Sequence, residues 1–409
     1  VFKDMWERFK FGGEIAKEQA VYFFNIKEII DNKFGTQNPI PYKDWGHPLS
    51  NPRTNSLMAM SVEIKCFGKY SFKIINPALF MSEIAGIRDV YTKQDITEQM
   101  RAEVVAVSDV FEESAKKAAE ICGAKVYTDS RELINAEDVD AVFIVSPGFA
   151  HVDSLLQAIE AGKRIFCEKP LCTTAEDCLK VVKAEEAAGK HLIQLGFMRR
   201  YDKGYQQIKE ALATGEYGEP LILHCTHRNP EVGTNYNTPM AVHDTAIHEI
   251  DVLHWLVDDE YESAQVVMPR VTKYSHSELK DPQIMMLRTK KGVCIDVEVF
   301  VNCKFGYDIN CEVVCEDGAL KMAQPAYPSI RKNAAVSSAI DTDCFVRFKD
   351  AYDKEVQDWV DNAEAGVITG PNAWDGYLAA ITADALVKAQ ETGQIEKIVT
   401  AVEKPEFYK

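Results

Sequence analysis

The amino-acid sequence predicts a two-domain α/β protein, in which a doubly wound parallel sheet precedes an α+β domain with a large, mostly antiparallel open sheet. The chain has 409 residues, which suits two domains better than one. Short apolar strands alternate with helices between about residues 102 and 197. Strand then follows strand between residues 263 and 322, which is typical of an antiparallel sheet.

The composition limits the partners and the compartment. Lysine and arginine number 46 and aspartate and glutamate 63, so the net charge is −17. Proteins that bind nucleic acid or anionic membranes present a cationic face, so both partners are excluded. No apolar run approaches the roughly 20 residues of a membrane span. The 11 cysteines are odd in number and scattered, which favours a reducing cytoplasm over a disulfide framework.

Residues 1–60 differ from the rest of the chain and are predicted to form an atypical extension and linker. Aromatic residues are frequent at the start, and residues 14–32 are compatible with one amphipathic helix. Residues 35–54 are rich in proline, asparagine and glycine, which predicts an irregular segment. Residues 61–195 are then assigned to the parallel-sheet domain and residues 196–409 to the α+β domain.

The parallel sheet is predicted from a regular alternation of elements. The strands are 103–109, 138–145, 164–170 and 191–197, and the helices between them are 111–122, 152–161 and 174–188. Each of these helices is followed by a glycine, the residue that most often ends a helix. Apolar strands alternating with helices produce a sheet buried on both faces, and right-handed crossovers make it doubly wound.

The second domain is predicted from segments in which apolar and polar residues alternate. In residues 293–301 one face carries only apolar side chains, namely Val293, Ile295, Val297, Val299 and Val301. The other face carries Asp296 and Glu298, so one side of the sheet is covered and the other is more polar. Further strands are expected at 220–227, 263–272, 283–289, 308–315 and 319–322, giving five or six, with helices at 204–214, 244–255, 345–363 and 374–392.

A cofactor is indicated by Asp109, which ends the first clear strand. In a dinucleotide-binding, Rossmann-like sheet, an acid at the end of the second strand accepts hydrogen bonds from ribose hydroxyls and repels a 2′-phosphate, which favours NAD. The alternative is an ordinary helix N-cap. A G-x-G-x-x-G turn should precede this strand, but residues 70–101 contain one glycine, Gly86. The first strand and phosphate loop are therefore predicted to be degenerate.

Two polar clusters suggest the chemistry. Lys169 follows a strand at the carboxyl edge, where it can hold a substrate hydroxyl, unless it is a simple surface lysine. Asp244, His248 and Asp251 are spaced to share one helix face, and the carboxylates are expected to orient the imidazole as a general base. An N-capped helix and a divalent metal site that includes His243 are the alternatives. No metal is predicted, since adjacent His243 and Asp244 point apart.

The chain resembles the glucose-fructose oxidoreductase/inositol dehydrogenase superfamily from about residue 96 onwards. The resemblance is carried by the segments FCEKPL at 166–171, GFMRRYD at 196–202, HRNP at 227–230 and DTAIHEID at 244–251. It implies NAD-dependent oxidation of an inositol. The resemblance assigns catalysis to Lys169, Asp244 and His248; cofactor binding to Asp109, Ser146, Pro147, Gly148, Glu168 and Lys169; and substrate binding to Met198, Arg199, His227, Asn229, Asp251 and Tyr307. It also implies a homotetramer that pairs the open sheets.

Other functions are kept open at this point. The nearest is the same chemistry on another polyol or a pyranose sugar, and a second is a non-catalytic sugar-binding protein that has lost its cofactor loop. A metal-dependent hydrolase or lyase is the third. The unrelated residues before position 96 are explained either by a frameshifted or fused gene or by a genuine extension with a rebuilt loop.

Overall fold

The computed structural model describes residues 104–323, 327–363 and 366–409, together with strands β1 (Ile40–Ser50) and β2 (Leu57–Ile64). The chain divides into two units, Val1–Ala102 and Glu103–Lys409. The helix predicted at 14–32, the first strand of the parallel sheet and the phosphate loop with Gly86 all lie outside the described residues.

Strands β1 and β2 form an antiparallel pair where an irregular linker was predicted. That prediction was wrong for residues 40–50. Residues that precede proline favour extended backbone, which a strand also uses. Each strand of a two-stranded sheet is an edge, where proline is tolerated, and the register shifts between Asp44 and Leu49, around Pro48.

The parallel-sheet region consists of two described pieces. Strand β3 (Ala106–Ser108), helix α1 (Glu112–Cys122), strand β4 (Lys125–Tyr127) and helix α2 (Ser130–Ile134) come first. Strand β5 (Ala141–Ile144), helix α3 (His151–Glu160), strand β6 (Arg164–Glu168), helix α4 (Ala175–Ala188) and strand β7 (Ile193–Gly196) follow. β3 pairs with β4, and β5, β6 and β7 pair in that order, all in parallel.

The α+β region follows the predicted order with several additions. Its elements are α5 (Lys203–Ala213), β8 (Pro220–Arg228), a π-helical turn (Ala241–Ala246), α6 (Ile247–Val257), β9 (Tyr261–Val267), β10 (Gln283–Thr289), β11 (Cys294–Phe300), β12 (Asp308–Cys315), β13 (Ala319–Lys321), β14 (Ile330–Lys332), β15 (Ala335–Ser337), α7 (Cys344–Ala363), α8 (Ala373–Thr392) and β16 (Glu396–Lys397). The large sheet has the order β13-β12-β8-β11-β10-β9-β16.

The large sheet has seven described strands rather than five or six, because the two-residue β16 pairs with β9. Its pairings are antiparallel except that of β11 with β8. The five predicted apolar residues of the β11 region are all buried, namely Val293, Ile295, Val297, Val299 and Val301. The opposite face carries a charged network, in which Arg228 donates to Glu298 and Asp308. The predicted fold class is confirmed.

Helix α8 joins the parallel layers to the large sheet, because it packs against both α4 and β9. It begins at a capping box formed by Asn372 and Asp375, and it ends at Gly393, whose φ is 66°. Trp374 and Leu386 are fully buried on it. Burying such a side chain contributes about 1.5–3 kcal/mol. Within the described part of the chain, no helix combines the length and apolar character that crossing a membrane requires.

Candidate active site

Lys169 and Asp244 meet where strand β6 ends. Lys169 immediately follows β6, and its Nζ donates a hydrogen bond to the main-chain carbonyl of Asp244 at 3.0 Å. The Asp244 carboxylate lies 3.6 Å from the same nitrogen. The lysine side chain is 20% exposed and the aspartate side chain 51%. The ammonium group is thus fixed at the mouth of the site and still accessible.

His248 lies in the first turn of α6, beyond the π-helical turn that carries Asp244. Its ring is half-buried, and its Nδ1 is inaccessible and without a hydrogen-bond partner among the described residues. Burial lowers the pKa of His248 well below its usual value, and the cations of Lys169 and Arg199 lower it further. The imidazole is therefore neutral at neutral pH, the form that accepts a proton.

The predicted contact between two carboxylates and the His248 ring is not found in this structure. The Asp244 carboxylate faces Lys169, because the π-helical turn changes the spacing on which the i,i+4 expectation depended. Asp251 accepts two hydrogen bonds from Arg200, at 2.9 Å from Nε and 2.5 Å from Nη2. Arg200 also pairs with Asp375. Burial raises the pKa of Asp251 to about 6, although Arg200 opposes the shift.

A second buried network lies beside His248 and centres on Glu249. The Glu249 carboxylate accepts from the guanidinium of Arg199 and lies 2.8 Å from Nδ1 of His227. Nε2 of His227 is 3.4 Å from the hydroxyl of Tyr307. Arg199 and Glu249 are each only 1% exposed. Burial lowers the pKa of His227 well below its usual value, and Arg199 acts in the same direction.

Three distant segments bring the predicted substrate residues together. Met198 and Arg199 lie in a tight 3₁₀ turn after β7, Met198–Tyr201, and both are buried. His227 is near the end of β8, and Asn229 follows that strand, where its main chain bonds with Phe300 and Cys303 of the next strand and loop. The Asn229 side chain also hydrogen-bonds His227, which raises the pKa of that histidine against the larger effect of burial.

The cofactor residues predicted from the sequence lie at the carboxyl ends of β3, β5 and β6. Oδ1 of Asp109 accepts a hydrogen bond from the main chain of Phe111 at 2.8 Å, and α1 begins just beyond it. Gly148 packs so closely on Pro170 that an added Cβ would lie 3.1 Å from its Cγ. Oε2 of Glu168 accepts from the main chain of Lys169 at 3.2 Å.

These residues fit a nicotinamide cofactor. Asp109 is a carboxylate at the end of a strand, suited to ribose hydroxyls, and the Lys169 ammonium, which follows β6, is still accessible. No group of three or more histidine, cysteine, aspartate or glutamate side chains in the described ranges is arranged to hold a metal ion. Cys303, Cys311 and Cys315 are buried thiols.

Sequence reasoning missed the roles of Glu249, Arg200 and Asp375. Glu249 is the counter-ion of Arg199, 50 residues away, and Asp375 pairs with Arg200 from the start of α8, 175 residues away. Their only sequence signal was membership of the segments HEID, MRRYD and WDGY. Those segments carry no information about which arginine meets which acid.

Comparisons with known proteins agree with this geometry. Residues 85–197 match the model of the Gfo/Idh/MocA oxidoreductase family with an NAD-binding Rossmann fold, and residues 209–399 match its C-terminal α/β domain. Residues 5–137 also match the model of the SPFH domain-Band 7 family. The two N-terminal matches overlap at residues 85–137; within the described part of that overlap, residues 104–137, the elements are β3, α1, β4 and α2, and β3 and β4 pair in parallel.

Several relatives are similar over most of their length. The inositol 2-dehydrogenase of Pseudomonas syringae is 53% identical over 309 residues, which is 75% of this chain and 92% of the relative. The inositol 2-dehydrogenase/D-chiro-inositol 3-dehydrogenase of Halalkalibacterium halodurans is 53% identical over 308 residues, 75% of this chain and 88% of the relative. The crystal structure of myo-inositol dehydrogenase from Lactobacillus casei, with NAD(H) and myo-inositol, matches with a TM-score of 0.74 and 43% identity, covering 75% of this chain and 92% of that one.

The parallel βα layers, the large α+β sheet and these matches agree with the resemblance seen in the sequence. The chain belongs to the Gfo/Idh/MocA oxidoreductase family and is an NAD-dependent oxidoreductase.

Proposed function

We propose that the protein oxidises a secondary alcohol of myo-inositol to the 2-keto inosose, with NAD as the acceptor. The observation that carries the proposal is the neutral imidazole of His248, whose Nδ1 has no partner among the described residues, at the same site as the fixed ammonium of Lys169. The similarity to proteins named inositol 2-dehydrogenase supports inositol as the substrate class.

The chain's own residues would perform the proton transfer and the positioning. Bound NAD supplies the hydride acceptor, so the protein needs only a base and a means of orienting the alcohol. His248 accepts the hydroxyl proton, which its depressed pKa permits at neutral pH. Lys169 donates to the reacting oxygen and stabilises the charge that develops there. Asp244 holds Lys169 through its carbonyl and carboxylate, a positioning role.

Hydroxyl recognition is assigned to the polar side chains around His248. We infer that four polar side chains contact the polyol, namely Arg199, His227, Asn229 and Tyr307, and that Met198 forms an apolar wall. Asp251 acts either by orienting Arg200 or by contacting the polyol itself. Arginine, imidazole and amide groups can each donate to ring hydroxyls. A site built from buried polar groups discriminates strongly against an analogue that lacks the matching hydroxyl.

The cofactor half of the site is assigned to the strand ends. Asp109 accepts from the adenosine ribose, while Ser146, Pro147 and Gly148 lie along the nicotinamide side with Glu168 and Lys169. This placement rests on their positions after β3, β5 and β6. The phosphate loop belongs to residues outside the described ranges.

Assembly and location are also proposals. The outer face of the large sheet carries half-exposed side chains such as His224, Asp296 and Phe300, and a flat open sheet of seven strands is a liability in a monomer. We infer a homo-oligomer, a dimer or a dimer of dimers, that pairs these faces. The ten cysteines of the described ranges are all free, which is compatible with a reducing cytoplasm.

The test is NADH formation with a panel of polyols: myo-inositol, scyllo-inositol, D-chiro-inositol and glucose. Myo-inositol should give the highest kcat/KM, and His248→Ala should lower kcat roughly 10²-fold or more at the same NAD concentration. The matched control is His276→Ala, an exposed histidine outside the site. Undiminished turnover in His248→Ala would show that His248 is not the general base. Preference for another panel member refutes the substrate, and NADH binding without turnover of any polyol favours a non-catalytic sugar-binding protein.

A further inference from the structure

His151 is the first residue of α3 and lies between the two loops assigned to the nicotinamide. One loop, Ser146-Pro147-Gly148, follows β5, and the other, Lys169-Pro170, follows β6. The His151 side chain is 1% exposed. A histidine at the start of a helix has no distinctive sequence pattern, so the sequence does not point to this residue.

Both ring nitrogens of His151 face main-chain carbonyl oxygens. Nδ1 is 2.8 Å from the carbonyl oxygen of Pro170, and Nε2 is 2.7 Å from that of Ser146. These distances are typical of good hydrogen bonds. A carbonyl oxygen can only accept, so any hydrogen bond here is donated by the ring.

The two nitrogens belong to one rigid ring, and the carbonyl groups they face belong to different loops. A single side chain thereby ties the loop after β5 to the loop after β6.

The backbone packing supports the same connection. Gly148 lies against Pro170, where an added Cβ would be 3.1 Å from Cγ and 3.2 Å from Cδ. Pro170 follows Lys169, whose Nζ is held by the carbonyl of Asp244. Movement of the Pro170 carbonyl would therefore be transmitted to the catalytic lysine.

We propose that His151 is a positioning residue whose two ring nitrogens clamp the Ser146–Gly148 loop to the Lys169-Pro170 turn, holding both in the geometry that receives the nicotinamide. The proposal rests on the assigned family and its cofactor, and it adds a residue that contacts neither the substrate nor the reacting atoms.

One further group contacts the ring. The Cys167 thiol of β6 lies 3.4 Å from Nδ1, and burial raises the pKa of the thiol well above its usual value, so it is a neutral neighbour.

The clamp is tested by hydrogen exchange of the unliganded protein. Glutamine can contact only one of the two carbonyls, so His151→Gln should speed amide exchange in peptides spanning 146–150 and 169–173 roughly tenfold or more, with α6 unchanged. The matched control, His191→Gln, removes an exposed histidine stacked on Phe407 at 4.0 Å and should change neither loop. Unchanged exchange in both loops of His151→Gln, or equal change throughout the protein, would refute a clamp.

Discussion

Substitution of Glu249 by glutamine should lower the free energy of unfolding by about 3–5 kcal/mol, the cost of removing one partner of a buried ion pair. Glu249 is the only described carboxylate bonded to Arg199, and both side chains are 1% exposed, so water cannot replace it. Glutamine also keeps only one of the two carboxylate oxygens, which contact Arg199 and His227 separately. Because whole domains are stable by only about 5–15 kcal/mol, this loss is a large share of the total.

The measurement is urea denaturation followed by circular dichroism at one fixed protein concentration, since an oligomer's stability depends on concentration. The matched control is Glu176→Gln in α4, whose carboxylate is 3.1 Å from Lys180 and whose side chain is 81% exposed. It should change stability by less than about 1 kcal/mol. A second comparison places Glu249→Gln in an Arg199→Met background, where no cation is left unpaired and most of the cost should vanish. A loss below about 1 kcal/mol, or an equal loss in both backgrounds, would refute the reasoning.

Three further predictions concern pH, the cofactor and assembly. His248 has a depressed pKa when folded and titrates near pH 6.5 when unfolded, so the unfolded state binds more protons below pH 6.5 and stability falls there as pH falls. Below pH 6, His248→Gln should reduce the slope of the unfolding free energy against pH by up to about 1.4 kcal/mol per pH unit. The slope is measured from denaturation curves at a series of pH values, and an unchanged slope would contradict the depressed pKa of His248. This chain should bind NAD about 10³-fold more weakly than a variant in which a strand, a G-x-G-x-x-G turn and a helix replace residues 1–95. The reason is that the chain without that turn lacks two or three charge-assisted hydrogen bonds to the pyrophosphate. A micromolar NAD dissociation constant for the unmodified chain, measured by calorimetry, would contradict this prediction. Light scattering at micromolar concentration should report at least twice the mass of one chain, and a monomer would count against pairing through the large sheet.

The sequence predicted the large sheet well because its signal is local. Strands β10 and β12 coincide with the predicted ranges 283–289 and 308–315, since alternation of apolar and polar residues is strong there. The three-residue β4 and five-residue α2 were missed, because elements so short show no period. The β1–β2 pair was missed because prolines in residues 35–54 favour turns as well as extended backbone, and the segment as a whole was predicted to be irregular.

The site was predictable only in part, for a different reason. Lys169 directly follows strand β6, and the alternation of strands and helices predicts that strand, so the position of Lys169 at the sheet edge follows from the sequence. The partners of Arg199 and Arg200 depend on how distant turns and helices pack, and no local pattern contains that information. The π-helical turn was equally invisible, because its composition is that of an ordinary helix.

That π-helical turn makes the site sensitive to chain length as well as to side chains. Within it the main chain of Ile247 donates to the carbonyl of Val242, five residues back, so the turn holds one residue more than an α-helix would. Deleting a single residue from Ala241–Ala246 would restore α-helical spacing and rotate everything before it by about 100° about the axis of α6. The carbonyl of Asp244 would then leave Lys169 while His248 stayed in place. A one-codon deletion in this turn is thus expected to break the contact between Asp244 and Lys169 while leaving the side chains of Lys169 and His248 unchanged.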